Sequence, residues 1–547
     1  MVEEEKKQRQ HKEMEEEMMQ QLRFKATELL IREEWKESIQ VYSHFISLSL
    51  DSLSKINEKS EPDQFSKLQK SLCLALSNRA EAKSRLRDFY EALEDCDQAL
   101  QIESTHFKTL LCKGKILLNL NQYSNASDCF KLALNDLQNN GNSEILNGYL
   151  DRCKKLEFQS RMGTFDLSDW VLNGFRGKSP ELAEYIGSIQ IKKSENRGRG
   201  LFSTKNIEAG TLLFVTKAVA TDRGILPESV EDSKMVMWKD FVDKVFDAAA
   251  KCRKTHDLIC KLSTGEDEEG LEVPDISLFR PETGEEKYLL PKEKPEMSRI
   301  LNILDVNSLT EDAISAKVLG KNSDYYGVGL WILASFVNHS CYPNARRLHI
   351  GDHLMVHASR DIKAGEEITF AYFDVLTPLK KRREMSKTWG FHCNCKRCRF
   401  EEDMIDHKEG LREIEISLEC GSDSSDGVVR LEEGMKKWMV KGKTEKGYLR
   451  ASFWTIFSEV FGSEKSMRRW GRRIPPVEVV GESVADAVGC DERVLKMVVD
   501  GLRRNGGGVM EMEKAMKLGR YVYGKVMKKN AMKALLELSI HEQSYYN

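Results

Sequence analysis

The sequence has no run approaching the ~20 consecutive apolar residues that a membrane span requires. Its opening, Met1-Val2-Glu3-Glu4-Glu5-Lys6, lacks the apolar stretch of a secretory signal. A membrane-embedded and a secreted protein are both set aside, and the expected location is intracellular, in the nucleus, the cytoplasm or both. The chain also lacks a surplus of charge. Its 84 Lys and Arg against 87 Asp and Glu leave a formal net charge of -3, a poor basis for gripping nucleic acid through bulk charge. Protein partners are expected instead. The cysteines show no disulfide framework: thirteen is an odd number, and most sit singly in helical-looking segments, where cysteine behaves as a small hydrophobe. What is present is 40% apolar and 31% charged residues over 547 positions, enough for cores and too long for one of them. Two or three domains follow.

Residues 1–19, rich in Glu, Lys and Gln, read as a charged tail or solvated helix. From 20 to 157 the chain repeats itself. Phe89, Ala92, Ala99 and Leu100 return 34 residues later as Tyr123, Ala126, Ala133 and Leu134, and Ala80 returns as Gly114. A third copy, Ala26, Trp35 and Ser38, precedes by 54, which is the same period plus an insertion near Asp51 to Lys70. Small residues that let paired helices approach and an aromatic that wedges between them resemble tetratricopeptide (TPR) repeats; a generic helical bundle is the plainer alternative. The resemblance implies a peptide or protein partner on the concave TPR face. Some such domains clamp a chaperone's C-terminal carboxylate. Asn78 and Lys108 match that pattern, but Thr27 and Cys112 replace its Asn and Arg, which weakens the implication.

From about 185 the periodicity becomes alternating, with short apolar runs such as Thr211 to Val215. Two like segments, Asn206-Ile207-Glu208-Ala209-Gly210 and Asp361-Ile362-Lys363-Ala364-Gly365, predict hairpin turns in which Gly supplies positive φ. Between them, at about 220–325, lies a mostly helical, acidic insertion with a predicted surface loop at Gly265 to Gly270. After Cys398 the pattern is helical to the end. The basic stretch Arg468 to Arg473 suits an acidic partner or nucleic acid, and also suits a solvated helix end.

Four motifs carry chemistry. Asn196-Arg197-Gly198-Arg199-Gly200 places glycines where backbone can approach a ligand, though any tight turn would do the same. Ser335-Phe336-Val337-Asn338-His339-Ser340-Cys341 follows an apolar run, and polar groups buried there need partners. Gly365-Glu366-Glu367-Ile368-Thr369-Phe370-Ala371-Tyr372 ends in a tyrosine that, taken alone, reads as a strand packing residue. Trp389-Gly390-Phe391-His392-Cys393-Asn394-Cys395 with Cys398 brings three thiols within reach of one tetrahedral ion, where a structural zinc site wants four.

In this order the motifs resemble the SMYD-like branch of SET-domain protein-lysine methyltransferases. The resemblance is strongest over 190–217 and 325–400. It implies that Arg197, Gly198, Arg199, Gly200, Asn338, His339 and Phe391 bind S-adenosylmethionine and that Tyr372 is catalytic and touches the cofactor. It also names Cys341 as the fourth ligand, beside Cys393, Cys395 and Cys398, of a structural Zn2+. Asn307, in Val306-Asn307-Ser308-Leu309, is a further implied cofactor contact. SMYD proteins carry a MYND zinc finger in the insertion; here only Cys252 and Cys260 stand there, so no MYND finger is expected. The expected fold class is a multidomain α + β chain. It comprises a TPR-like helical solenoid (20–157), a mostly β SET domain (185–376) split by the insertion, a zinc-binding post-SET segment (377–400) and a helical C-terminal region (401–547). The expected activity is S-adenosylmethionine-dependent protein-lysine methylation, on histone or other protein. The alternative is a catalytically silent TPR-SET adaptor.

Overall fold

The computed structural model describes residues 2–56, 61–135, 143–195, 198–225, 231–265, 270–280, 295–311, 325–407, 409–419, 423–489, 491–504 and 509–538. Two compact units are present. One is Met1–Phe158 with Ala250–Lys254; the other contains Gln159–Ala249, Thr255–Arg280 and Pro295–Asn547. Among the described residues no helix is long and apolar enough to cross a membrane.

The first unit is an array of helices in which each packs on the next: Val2–Ile31, Trp35–Lys55, Pro62–Arg85, Phe89–Ile102, Phe107–Asn119 and Tyr123–Asn135. Its repeat is written in the backbone. Glu33, Arg87 and Asn121, separated by the same 54 and 34 positions as the sequence copies, are left-handed, with φ of 63°, 63° and 60°. After each, an amide reaches back five residues, Glu34 to Leu29, Asp88 to Lys83 and Gln122 to Leu117, the bond that closes a helix whose C-terminus turns left-handed. Ala26, Ala80, Ala92, Ala99, Ala126 and Ala133 are fully buried. A Cβ on Gly114 would lie 2.5 Å from the Phe130 ring, so the small residues are packing requirements.

The surplus near Asp51 to Lys70 falls at the end of one helix and the start of the next, lengthening the two to 21 and 24 residues, against 13 or 14 in the following pair-members. Residues 57–60 lie outside the described residues. Of the two readings of the N-terminal stretch, helix and separate tail, the structure shows the helix: one helix runs from Val2 to Ile31, with Glu15 accepting from Ser52 and Glu16 from Gln64. As for the carboxylate clamp, Asn78 donates to the Tyr42 hydroxyl at 2.8 Å and accepts from Lys108 Nζ at 2.5 Å. The two matching residues bind each other.

In the second unit a four-stranded antiparallel sheet runs in the order Tyr185–Ile186, Leu212–Lys217, His353–Ala358, Ala345–Ile350. Phe214, Leu354 and Val356 from its strands are fully buried in one core. Ile189–Lys193 pairs with Arg199–Ser203. The insertion begins and ends in strands, since Thr221–Ile225 and Leu309–Thr310 both pair with Tyr325–Gly329. Its base is therefore zipped shut. The two Ile-x-Ala-Gly segments are not hairpin turns. They pair with each other: Ile207 and Ile362 exchange backbone bonds at 2.8 and 2.9 Å, Asp361 Oδ1 accepts from the Ala209 amide, and Asn206 Oδ1 from the Ala364 amide, both at 2.9 Å. The likeness of the two sequences is the likeness of reciprocal caps. Gly210 and Gly365 do take positive φ, 80° and 79°.

Helices from Lys396–His407 to Lys529–Leu538 form the C-terminal region and share an apolar core with the cysteine segment. His357 of the sheet meets the Tyr521 carbonyl at 3.2 Å. At the end of Glu464–Trp470, Arg469 and Arg473 stack on the Trp470 ring while Arg468 and Arg473 pair with Glu464 and Glu433, a solvated helix end whose charge is partly neutralised.

Candidate functional site

The site is assembled where Asn338–His339 runs parallel to Thr369–Phe370. Ser340 N bonds the Phe370 carbonyl and Asn344 N the Thr369 carbonyl, both at 3.1 Å; the Asn344 side chain completes the ladder, accepting from Thr369 N at 2.8 Å and donating to Glu367 O at 2.8 Å. Two short segments with no regular strand of their own thus satisfy each other's backbone. Asn338 Nδ2 donates to the Arg199 carbonyl at 3.0 Å and to Glu367 Oε1 at 2.8 Å, and Ser194 Oγ donates to the same oxygen at 2.8 Å. A Cβ on Gly200 would fall 2.5 Å from that oxygen. Gly200 is thus demanded by the Asn338–Glu367 pair, a different reason from backbone approach to a ligand.

A cavity of about 680 Å³ opens beside this crossing, lined by Arg199, Asn307, Asn338, His339, Tyr372 and Phe391. Gly198, with φ of 68°, turns the chain into the strand; Arg197 lies outside the described residues. Arg199 borders the cavity, yet its guanidinium donates to the Lys261 and Glu272 carbonyls at 2.6 and 3.2 Å and lies over the Phe336 ring. Its charge ties the strand to the insertion. Asn307 Nδ2 likewise donates to Ser263 O and Ile303 O at 2.8 and 2.7 Å. Ser263, Gly265 and Trp389 also line the cavity. Of the insertion's contribution, Asn307 is named by the resemblance, but Ser263 and Gly265 are not legible in the sequence, where the acidic run after Gly265 reads as surface; residues 266–269 are outside the described residues.

A second cavity, about 270 Å³, lies against Arg346, Arg347, Phe370, Asp374 and Arg493. Tyr372 lines both. Its hydroxyl donates to the Val337 carbonyl at 2.9 Å and its amide to His339 Nδ1 at 3.0 Å. Trp389 and Phe370 lie 5.1 and 5.7 Å from its ring centroid. The second cavity draws Arg493 from a helix more than a hundred residues downstream, a juxtaposition that no local motif announces.

The sulfurs of Cys341, Cys393, Cys395 and Cys398, all buried, lie within 4.8 Å of one another. Four soft donors in one small volume suit a tetrahedral thiophilic ion such as Zn2+. Mutual hydrogen bonding splits the thiols: Cys341 pulls Cys393 well below its ordinary range and Cys395 down to about 6, while Cys341 and Cys398 are themselves pushed well above it. Arg382 adds a cation that acts on Cys341, Cys395 and Cys398, and would offset the excess negative charge of four thiolates around one Zn2+. The donor set fits the ion. Beneath it, Arg397, with no solvent exposure, donates to the Cys341 and Val375 carbonyls, to Ser452 Oγ and to Glu401; Arg382 pairs with the other oxygen of Glu401.

Residues 198–373 match the family model of the SET domain. The chain is 24% identical over 384 residues to a methyltransferase of Gibberella zeae, covering 66% of this chain and 49% of that protein. It is 39% identical over 97 residues to the histone-lysine N-methyltransferase SMYD3 of Homo sapiens, covering 17% and 23%. Against the histone-lysine N-methyltransferase SET5 of Saccharomyces cerevisiae it is 33% identical over 119 residues, covering 21% and 23%. The chain spans less than half the length of these relatives. Among solved structures, the TPR2B domain of yeast Sti1 complexed with pHsp70 overlays 25% of this chain and 96% of that one at 16% identity, with a TM-score of 0.20, too loose a fit to bear on function.

Proposed function

We propose that this chain, whose residues 198–373 form a SET domain, methylates lysine side chains of proteins, histone or other, using S-adenosylmethionine. The observation that carries the proposal is that one half-buried tyrosine, Tyr372, borders both a large cavity and a smaller one. In this reading the larger cavity takes the cofactor and the smaller admits the lysine.

Transfer requires a neutral amine, and a free lysine with pKa near ~10.4 pays about 4.6 kcal/mol to be neutral at pH 7. Bound S-adenosylmethionine supplies the electrophilic methyl and a positive charge close to the amine. The rings of Phe370, Tyr372 and Phe373, which line the smaller cavity, strip water from the amine, and desolvation favours its uncharged form. The Tyr372 hydroxyl donates a hydrogen bond to Val337 O, which leaves the lone pairs of the phenolic oxygen to accept from the amine and to face the partial positive charge of the transition state. Alignment of the amine in the smaller cavity supplies much of the remaining rate. No nucleophilic side chain is needed. Zn2+, when bound by Cys341, Cys393, Cys395 and Cys398, supplies a cross-link; those cysteines then hold Trp389 and Phe391 as a wall of the larger cavity.

The test is transfer of labelled methyl from S-adenosylmethionine to a cell lysate and a lysine-peptide library by the zinc-loaded full chain, with Asn338→Ala alongside. Labelling by wild type that the variant loses supports the enzyme and reveals its substrates. A zinc-loaded protein that neither binds the cofactor nor labels anything overturns it and favours the adaptor.

A further inference from the structure

His339 borders the larger cavity, yet both its ring nitrogens meet protein groups. The Tyr372 amide donates to Nδ1 at 3.0 Å. Nδ1 is therefore the unprotonated nitrogen, and the ring proton sits on Nε2. Nε2 lies 3.3 Å from Cys341 Sγ, one of the four clustered sulfurs, and so donates to it. The side chain is 4% exposed. Phe373 stacks on its ring at 4.3 Å and Phe391 leans on it at 5.3 Å, so the imidazole has little room to turn.

One imidazole thus joins the sulfur cluster to the backbone of the tyrosine between the two cavities. The other end of Tyr372 is held by the same segment, because its hydroxyl bonds Val337 O, two residues before His339. Val337, His339 and Cys341 lie on one short piece of chain that grips Tyr372 at both ends and finishes in the cluster.

We propose that His339 is a positioning residue through which metal occupancy of the Cys341 cluster sets the alignment of Tyr372. The consequence for methyl transfer rests on the function proposed above; the linkage between metal and Tyr372 amide does not. A metal-bound sulfur is a fixed, charged acceptor, whereas an unliganded cysteine is a mobile, weak one. Metal loss removes the anchor at Nε2 and leaves the ring held only through Nδ1. A partner behind a metal ligand commonly changes affinity or activity about 10- to 100-fold when altered.

The test uses the full chain labelled with nitrogen-15 tyrosine, its Tyr372 signal identified by loss in Tyr372→Phe, and reads amide exchange and zinc affinity. In wild type, chelating the metal speeds exchange at Tyr372 and leaves Tyr523, buried in the helix Val509–Tyr523, unchanged. His339→Asn keeps an acceptor at the Nδ1 position and loses the sulfur contact. It holds the Tyr372 amide protected whether or not metal is present, and binds zinc about 10- to 100-fold more weakly. His339→Gln keeps a donor near the Nε2 position and loses the acceptor, so zinc binding stays near wild type while the Tyr372 amide exchanges about tenfold faster with metal bound. The proposal is overturned if chelation leaves Tyr372 as protected as before, if it speeds Tyr523 equally, or if both variants lose zinc and protection together. None of these readouts is methyl transfer. A chain that fails to bind S-adenosylmethionine would sink the enzyme and leave this linkage standing.

Discussion

Arg493 binds Asp374 through both arms of its guanidinium, at 2.8 and 3.0 Å, and so ties the helix Glu492–Arg504 to the loop two residues beyond Tyr372. Both residues line the smaller cavity. The pair is half exposed, where such bridges contribute at most about 1 kcal/mol. Arg493→Ala is expected to change the melting temperature little and to raise KM for the protein substrate about fivefold, with kcat less affected. Steady-state kinetics beside a thermal melt check this.

Removing a charge from beneath the cysteine cluster acts differently. Glu401, 2% exposed, is the shared partner of two buried guanidiniums, Arg382 and Arg397. Glu401→Gln leaves two cations facing one neutral amide in a dry core, and breaking a buried pair costs about 3–5 kcal/mol. Denaturant unfolding should register a loss of that order. A change below about 1 kcal/mol would mean that water reaches the pair.

Cys398→Ser removes one of four thiolates. Metal content by elemental analysis should fall from one zinc per chain to well below that, and S-adenosylmethionine affinity should fall with it, because Phe391 and Trp389, which line the larger cavity, sit just before the clustered cysteines.

His357 links pH to stability. Burial holds its pKa down at about 4, with Arg346 pushing the same way and the Tyr521 and Val522 carbonyls opposing. The unfolded chain, with an ordinary value near ~6.5, binds the proton first, so stability is complete above that pH and falls as the pH drops toward 4. The loss is up to about 3 kcal/mol. His357→Asn should flatten the decline in melting temperature between about pH 6.5 and 4.5.

How far the sequence anticipates the fold depends on whether a feature is local. The 34-residue period is, and the spacing that repeats the alanines also repeats the left-handed turn at Arg87 and Asn121. The gathering of Cys341 with Cys393, Cys395 and Cys398 follows from the family resemblance and not from spacing, because 52 residues separate the first two. Arg199 and Asn307, which the resemblance gives as cofactor contacts, line the cavity, and their polar groups bind carbonyls of the insertion, a pairing that no motif encodes. The paired Ile207 and Ile362 turns are misread as hairpins for the same reason: the pattern shows that each turns, not what each turns against.

The central claim is that Tyr372 acts on a lysine presented opposite a bound cofactor. The most direct measurement sets S-adenosylmethionine binding by titration calorimetry beside single-turnover methyl transfer, for wild type and Tyr372→Phe. The account predicts that the variant binds the cofactor within about threefold of wild type and transfers methyl at least about a hundredfold more slowly, since it keeps the ring and loses only the oxygen. Transfer at the wild-type rate by Tyr372→Phe, or no cofactor binding by zinc-loaded wild type, would contradict it.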